Sequence, residues 1–369
     1  MKKTLAALAV LTAFAGSAMA SDVTVYGRID LGMVYQHSDA DINGQDATDK
    51  FTMENGVSTG SRFGIKGSED LGNGYSVNFV LENGFKADSG SLGGKNNRLF
   101  DREASLQLNG PFGKLGFGRL AILGTDGGTF NVLGDINSFG TGWGDIGNQG
   151  FVMANVAARW DNMIEYRSPS FAGFQVSAAT SFGSSEEGSY TENTSKADRY
   201  SALAVSYEAG DLGLVLLGET VNEKSFTEKT EAQEDMFRIT FGGNYDFQVA
   251  KVFGAVHYFK NADKLNTTQF SDVAPVTFDE LKGYGLVAGV DVPLAGGTLK
   301  GSIGYVDAED EVSDAEAKGF YVGAGYKYPF SKRTYVYTGI GYDQTKYEWE
   351  GGEQKPSDTR VTFGMAHFF

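Results

Sequence analysis

Two sets of charged side chains, far apart along the chain, could do chemistry together. Asp126, Asp135 and Asp145 lie in a Gly-rich stretch, residues 120–158, with almost no basic residues. Arg28, Arg62, Lys66, Arg159 and Arg167 fall on the polar side of segments in which apolar and polar residues alternate. Arg119 stands at Gly118-Arg119, where one such segment runs into the acidic stretch. Like charges gathered on one wall repel each other, and carboxylates opposite them relieve the repulsion. Across a wet gap the two sets create a transverse field that sorts solutes by size and charge. The acidic stretch is about 39 residues long, and connections of that length are usually functional. Its glycines permit tight backbone paths, and Phe130, Leu133, Phe139 and Trp143 are unfavourable in water. The stretch is therefore expected to fold into a narrow lumen.

Other chemistries find little support. A hydrolase needs a nucleophile served by a base, commonly His. The His are His37, His257 and His367. His37 begins a loop, His367 shares the face of Phe363 and Phe369, and no Ser motif lies near His257. With no Cys and no clustered His, neither a zinc site nor any other cofactor is expected. The net charge of −16 leaves no basic surplus for phosphates, which argues against nucleic acid as a partner. The chain reads as a non-enzyme.

The elements that must hold these residues are strands of period two. Val23, Val25, Ile29, Leu31, Met33 and Tyr35 share one face, and Thr24, Tyr26, Arg28 and Asp30 the other. Phe63 and Ile65 oppose Arg62 and Lys66, while Tyr75, Val77, Phe79 and Leu81 oppose Asn78 and Glu82. Trp160, Ile164 and Tyr166 are expected opposite Arg159, Asp161, Glu165 and Arg167. Segments beginning near Phe174, Phe237, Leu299, Phe320 and Val336 continue the alternation, and the last runs from Arg360 through Val361, Phe363 and Met365 to Phe369.

Tight turns such as Asp70-Leu71-Gly72-Asn73-Gly74 and Asn109-Gly110-Pro111-Phe112-Gly113 alternate with eight long polar loops, at 37–59, 86–98, 120–158, 184–198, 222–235, 261–280, 307–318 and 346–358. Eight long loops imply eight hairpins. The expected fold is all-β: a 16-stranded antiparallel transmembrane β-barrel with an inward-folded third loop, its last strand pairing with its first. Gly at 51 residues and Pro at only 6 suit long paired strands. Before the barrel, Lys2 and Lys3, an apolar run and Ala18-Met19-Ala20 mark residues 1–20 as a cleaved signal peptide, leaving 21–369 as one barrel domain.

These residues resemble those of a known family. Val23-Thr24-Val25-Tyr26-Gly27-Arg28-Ile29-Asp30, Ser61-Arg62-Phe63-Gly64-Ile65-Lys66-Gly67-Ser68-Glu69-Asp70-Leu71-Gly72-Asn73-Gly74, Phe112-Gly113-Lys114-Leu115-Gly116-Phe117-Gly118-Arg119, Tyr166-Arg167-Ser168-Pro169-Ser170-Phe171-Ala172-Gly173-Phe174 and terminal Phe369 look like the general porins of Gram-negative bacteria, across the whole mature chain. The resemblance implies a homotrimer in the cell outer membrane, in contact with outer-membrane lipid and lipopolysaccharide. It implies passive diffusion of small hydrophilic solutes and ions. Asp135 and Asp145 fall where the family places constriction carboxylates, Ser138 stands where many relatives have Glu, and Arg28, Arg62, Arg119 and Arg159 match the basic wall best. Arg102 looks like the family's Arg near a strand top, although strict alternation would turn it outward with Ala104 and Leu106. The second loop, 86–98, resembles the segment that latches onto a neighbouring subunit.

Two alternatives stay open: a substrate-specific channel, for which Tyr26, Tyr321, Tyr335 and Tyr337 would supply a lumenal aromatic track, and a barrel with an added adhesin role. Overall acidity suggests a mild cation preference. Sequencing the N-terminus of the membrane-inserted protein should give Ser21 first; an N-terminus still carrying Lys2 and Lys3 would refute cleavage.

Overall fold

The computed structural model of the protein describes residues 23–42, 46–94, 98–125, 127–134, 136–140, 142–143, 146–147, 149–183, 197–222, 234–265, 278 and 280–369. The expected signal peptide lies outside them. In chain order the strands are β1 (Thr24–Asp39), β2 (Thr48–Asn55), β3 (Arg62–Gly72), β4 (Tyr75–Lys86), β5 (Ser91–Leu92), β6 (Glu103–Gly110), β7 (Gly113–Ala121), β8 (Arg159–Arg167), β9 (Phe174–Ser181), β10 (Arg199–Ala209), β11 (Leu212–Asn222), β12 (Met236–Asp246), β13 (Lys251–Ala262), β14 (Leu281–Leu294), β15 (Gly297–Asp310), β16 (Glu316–Pro329), β17 (Thr334–Trp349), β18 (Gly352–Gln354) and β19 (Ser357–Phe368). β2, β5 and β18 belong to the long loops. The remaining sixteen form one closed antiparallel barrel.

Closure is made by β1 on β19, in register from Arg28 opposite Phe368 to Asp39 opposite Ser357. Gly27 and Phe369 exchange both backbone hydrogen bonds at 3.0 Å. No edge is left along this seam, the condition for strands in hydrocarbon.

The alternation read from sequence becomes two surfaces. Leu203, Phe241, Ile303, Ile340 and Phe363 are exposed on the outside, while Ala204, Thr240, Ser302, Tyr337 and Thr362 beside them are buried inside. One expected face is reversed: Trp160 is only 5% exposed and stacks on Tyr200, with ring centroids 6.1 Å apart. The register of β7 on β8 slips between Gly118 and Leu120, and Asn162 takes a φ of 54°. An extra residue in one strand flips the parity beyond it.

The strands also run further than the polar loops suggested. β15 reaches Asp310 and β17 reaches Trp349, where the outward positions become charged: Lys282 lies 3.5 Å from Glu309, and Lys346 lies 3.1 Å from Glu353.

The third loop, 122–158, fills part of the lumen. Leu123, Phe130, Leu133, Ile136, Phe139, Trp143, Ile146 and Val152 are all buried. The wall receives them at inward glycines. A Cβ on Gly323 would sit 1.8 Å from the Ile146 carbonyl oxygen, one on Gly341 2.5 Å from the same atom, and one on Gly285 2.1 Å from the Val152 oxygen. Side chains bind the loop as well. Ser302 Oγ donates to Asn137 Oδ1 (2.9 Å), Lys300 Nζ donates to the Ser138 carbonyl (2.7 Å), and Trp143 packs edge-on against Tyr337 at 5.3 Å.

Gly323→Leu should force the loop off this trough. We expect a folded barrel with larger single-channel conductance and stability lowered by about 1–3 kcal/mol, the usual range for overpacking. Wild-type conductance and an unchanged thermal transition would refute the trough.

Candidate functional site

Asp30 organises the wall beside the loop. It is fully buried on β1, and its carboxylate accepts the backbone N–H groups of Ser58 (2.9 Å) and Thr59 (2.7 Å) and the hydroxyl of Tyr337 (2.5 Å). These bonds fold residues 56–61 inward, where Ser58 and Tyr335 share a hydroxyl hydrogen bond of 2.8 Å. Arg28, next inward on β1, donates to Thr59 Oγ1 at 2.6 Å and lies 5.3 Å from the centre of the Phe368 ring.

Between this wall and the third loop lies a cavity of about 740 Å³. Tyr26, Arg28, Arg62, Lys66 and Glu82 line it from β1, β3 and β4. Arg102, Arg159 and Arg238 add charge, and Thr125, Thr129, Asn131 and Asn155 face it from the loop. Glu82 is the junction. It accepts from Tyr26 Oη at 3.0 Å and from Arg102 Nε at 2.7 Å, and Arg62 Nη1 reaches it at 3.5 Å. Lys66 is held over the Tyr26 ring at 5.1 Å. Arg62 has Arg102, Arg28 and Arg159 as charged neighbours besides Glu82. Among the described lining residues, six side chains are basic and two, Glu82 and Glu103, are acidic.

Arg28, Arg62, Lys66 and Arg159 thus line one cavity. Arg119 and Arg167 do not join them. Arg119 lies opposite Ala104, on the face of exposed Leu106, and donates to Asp161 Oδ1 at 2.7 Å. Arg167 holds the root of the third loop: its Nη2 donates to the carbonyls of Phe130 and Asn131, the latter at 2.8 Å. The Phe130 ring lies 5.7 Å from Lys114 Nζ and 5.9 Å from Arg167 Cζ. Asp126, Asp135 and Asp145 lie outside the described residues.

Arg102 does line the cavity. β6 begins only at Glu103, so strand parity does not reach Arg102 and imposes no outward turn. Ser138 is an anchor: its hydroxyl donates to Asp291, which Lys300 also grips at 2.7 Å. Sequence reasoning placed Glu82, and Arg238 opposite Phe237 and Ile239, on the inner face but gave neither a role, and it passed over Glu103. Glu103 accepts from Thr129 Oγ1 at 2.6 Å, and Arg238 pairs with Glu219 at 2.7 Å while donating to the Ala154 carbonyl at 2.8 Å. Period two marks these as inward. Nothing in sequence says which inward residues the loop will cover.

That cover also decides the aromatic track. Tyr321, Tyr335 and Tyr337 are buried, and Tyr321 packs on Phe151 of the loop at 5.5 Å. Of the four Tyr, Tyr26 lines the cavity. His257 is buried in the wall and bonds Thr240 at 2.9 Å.

Residues 7–347 match the family described as Gram-negative porin. An outer membrane porin protein of Bordetella pertussis is 32% identical, with both chains covered in full. Outer membrane porin protein 32 of Delftia acidovorans is 29% identical, again over the whole of both chains. Among solved structures, an anion-selective porin from Comamonas acidovorans superposes with a TM-score of 0.65 at 23% identity, covering 95% of this chain and 100% of that one. A closed sixteen-stranded wall, a loop packed into its lumen and a charged cavity between them agree with these matches: the chain belongs to the Gram-negative porins and is an outer-membrane channel protein.

Proposed function

We propose that the basic cavity is the constriction of this porin, and that small hydrophilic solutes pass it with a preference for anions. The observation that carries this reading is the cluster of Arg28, Arg62, Arg102 and Arg159 beside the Glu82 carboxylate, six basic side chains against two acidic ones among the described lining residues. Guanidinium groups keep their charge at any working pH and present forked donors to oxyanions. Field lines focused by low-dielectric walls enrich the opposite charge. The cation preference suggested by overall acidity gives way, because the narrowest part of a pore weighs most in selection. The similar porin from Comamonas acidovorans is anion-selective, which points the same way.

Asp126, Asp135 and Asp145 complete this proposal as loop carboxylates that moderate the preference. Residues 21–369 form the mature barrel, which passes solutes without chemical change and needs no cofactor. The protein works as a homotrimer, as the family resemblance implies. Its lipid contacts include lipopolysaccharide: outward Lys282, Lys318 and Lys346 stand near exposed Tyr284, Tyr305 and Phe320, where polar headgroups would meet the wall.

The test is reversal potential across a KCl gradient in a planar bilayer. Wild type should favour chloride. Removing a positive charge with Arg62→Gln should lower the chloride-to-potassium permeability ratio about twofold or more, and Glu82→Gln should raise it by a similar factor. Potassium preference in wild type, unmoved by either change, would overturn the assignment. Absence of ohmic steps would count against an open pore.

A further inference from the structure

Arg102 reaches the cavity from the second loop, and what holds it there lies on the opposite side of the wall. The returning limb of that loop, residues 98–102, crosses the barrel rim. At its outer end Arg98 Nη2 lies 2.9 Å from Asp161 Oδ2. The other oxygen of Asp161 accepts from Arg119 Nη1 at 2.7 Å, and Arg119 Nε donates to the Asp101 carbonyl, also at 2.7 Å. Asp101 Oδ1 in turn accepts the Gly84 N–H at 2.7 Å. The next residue is Arg102, whose N–H donates to the Glu82 carbonyl at 3.3 Å and whose guanidinium turns inward to the Glu82 carboxylate. One carboxylate thus fixes two arginines. One of those arginines belongs to the limb, and the other grips the peptide just before Arg102.

We infer that Asp161 and Arg119 are positioning residues for ion selectivity, acting through Arg102 by clamping the second loop across the rim. The inference builds on the basic-cavity reading and adds a control that lies outside the cavity. Neither Asp161 nor Arg119 lines the cavity, so neither meets the passing solute. Arg119 is 11% exposed and Asp161 27%, so the clamp is partly shielded from bulk water. Salt should weaken its outer Arg98 half more than the sheltered Arg119 half. The second loop then has a duty within its own subunit as well as the latching role that the resemblance suggests. The sequence motif ending in Gly118-Arg119 acquires a role distinct from the constriction charge expected of it.

The experiment is a double-mutant cycle on the full-length protein in planar bilayers, reading reversal potential and open-channel noise. Asp161→Asn should lower the chloride-to-potassium ratio about twofold and increase noise, as Arg102 samples other positions. Arg102→Gln should lower the ratio directly. Asp161→Asn added to Arg102→Gln should then change it no further, and Asp161→Glu alone should restore wild-type values. An unchanged ratio in Asp161→Asn, or an equal shift in the Arg102→Gln background, would overturn the inference. If Asp161→Asn does not assemble, Arg119→Lys reads the same coupling, since it keeps the charge but loses the forked grip. The cycle measures coupling whatever the sign of wild-type selectivity. Loss of the anion reading and loss of the clamp are therefore separate results.

Discussion

Every backbone N–H and C=O in the hydrocarbon layer must find a partner within the protein, because lipid offers none. The seam of β1 on β19 meets that demand around the whole circumference, and the rest of the molecule follows from it. A closed wall has two faces of opposite character. Apolar side chains must go out, so polar ones go in and water fills the interior. The interior is then wide enough to need an obstruction if solutes are to be sorted, and the third loop supplies it.

The loop reverses the usual logic of the barrel. Inside a polar lumen it builds a dry contact of Phe139, Trp143 and Ile146 against Tyr337 and inward glycines. Strand glycines ordinarily weaken a sheet. At Gly285, Gly323 and Gly341 the absent side chain is the space into which loop backbone fits. Arg167 and Ser138 pin the loop at its root and further along, so the cavity beside it has fixed walls. The basic cluster can then hold its charges close without the loop giving way.

The fold was largely legible in sequence because lipid enforces parity along every buried strand. Ile303 and Tyr305 read correctly for that reason, and so did the pairing of the ends. Reading failed where the enforcing medium was missing or the count slipped. Beyond the lipid both strand faces are wet, so the charged ends of β15 and β17 looked like loop. At Asn162 one added residue turned Trp160 inward, and composition carries no mark of that. The site was legible in part. Arg28, Arg62 and Lys66 follow from parity plus position, while Arg159 reaches the cavity from the first residue of β8, next to inward Trp160. Arg102 comes from a limb just outside a strand, where parity has no force. Arg119 was expected on the basic wall because Gly118-Arg119 runs into the acidic loop, yet its parity with exposed Phe117 and its register opposite Ala104 turn it outward.

The trough beneath the third loop also bears on how the chain assembles. Asn137 meets Ser302 across 165 residues, and Ser138 meets Asp291 across 153. Contacts so distant in sequence form late. Until β14 to β17 are in place, Phe139, Trp143 and Ile146 lack the wall of Tyr335, Tyr337 and inward glycines that covers them beside Val34 and Val57. These aromatics would draw in any other apolar surface, including the bilayer itself. The connectivity thus ties burial of a loop made by the first half of the chain to strands made in its last third, β19 included.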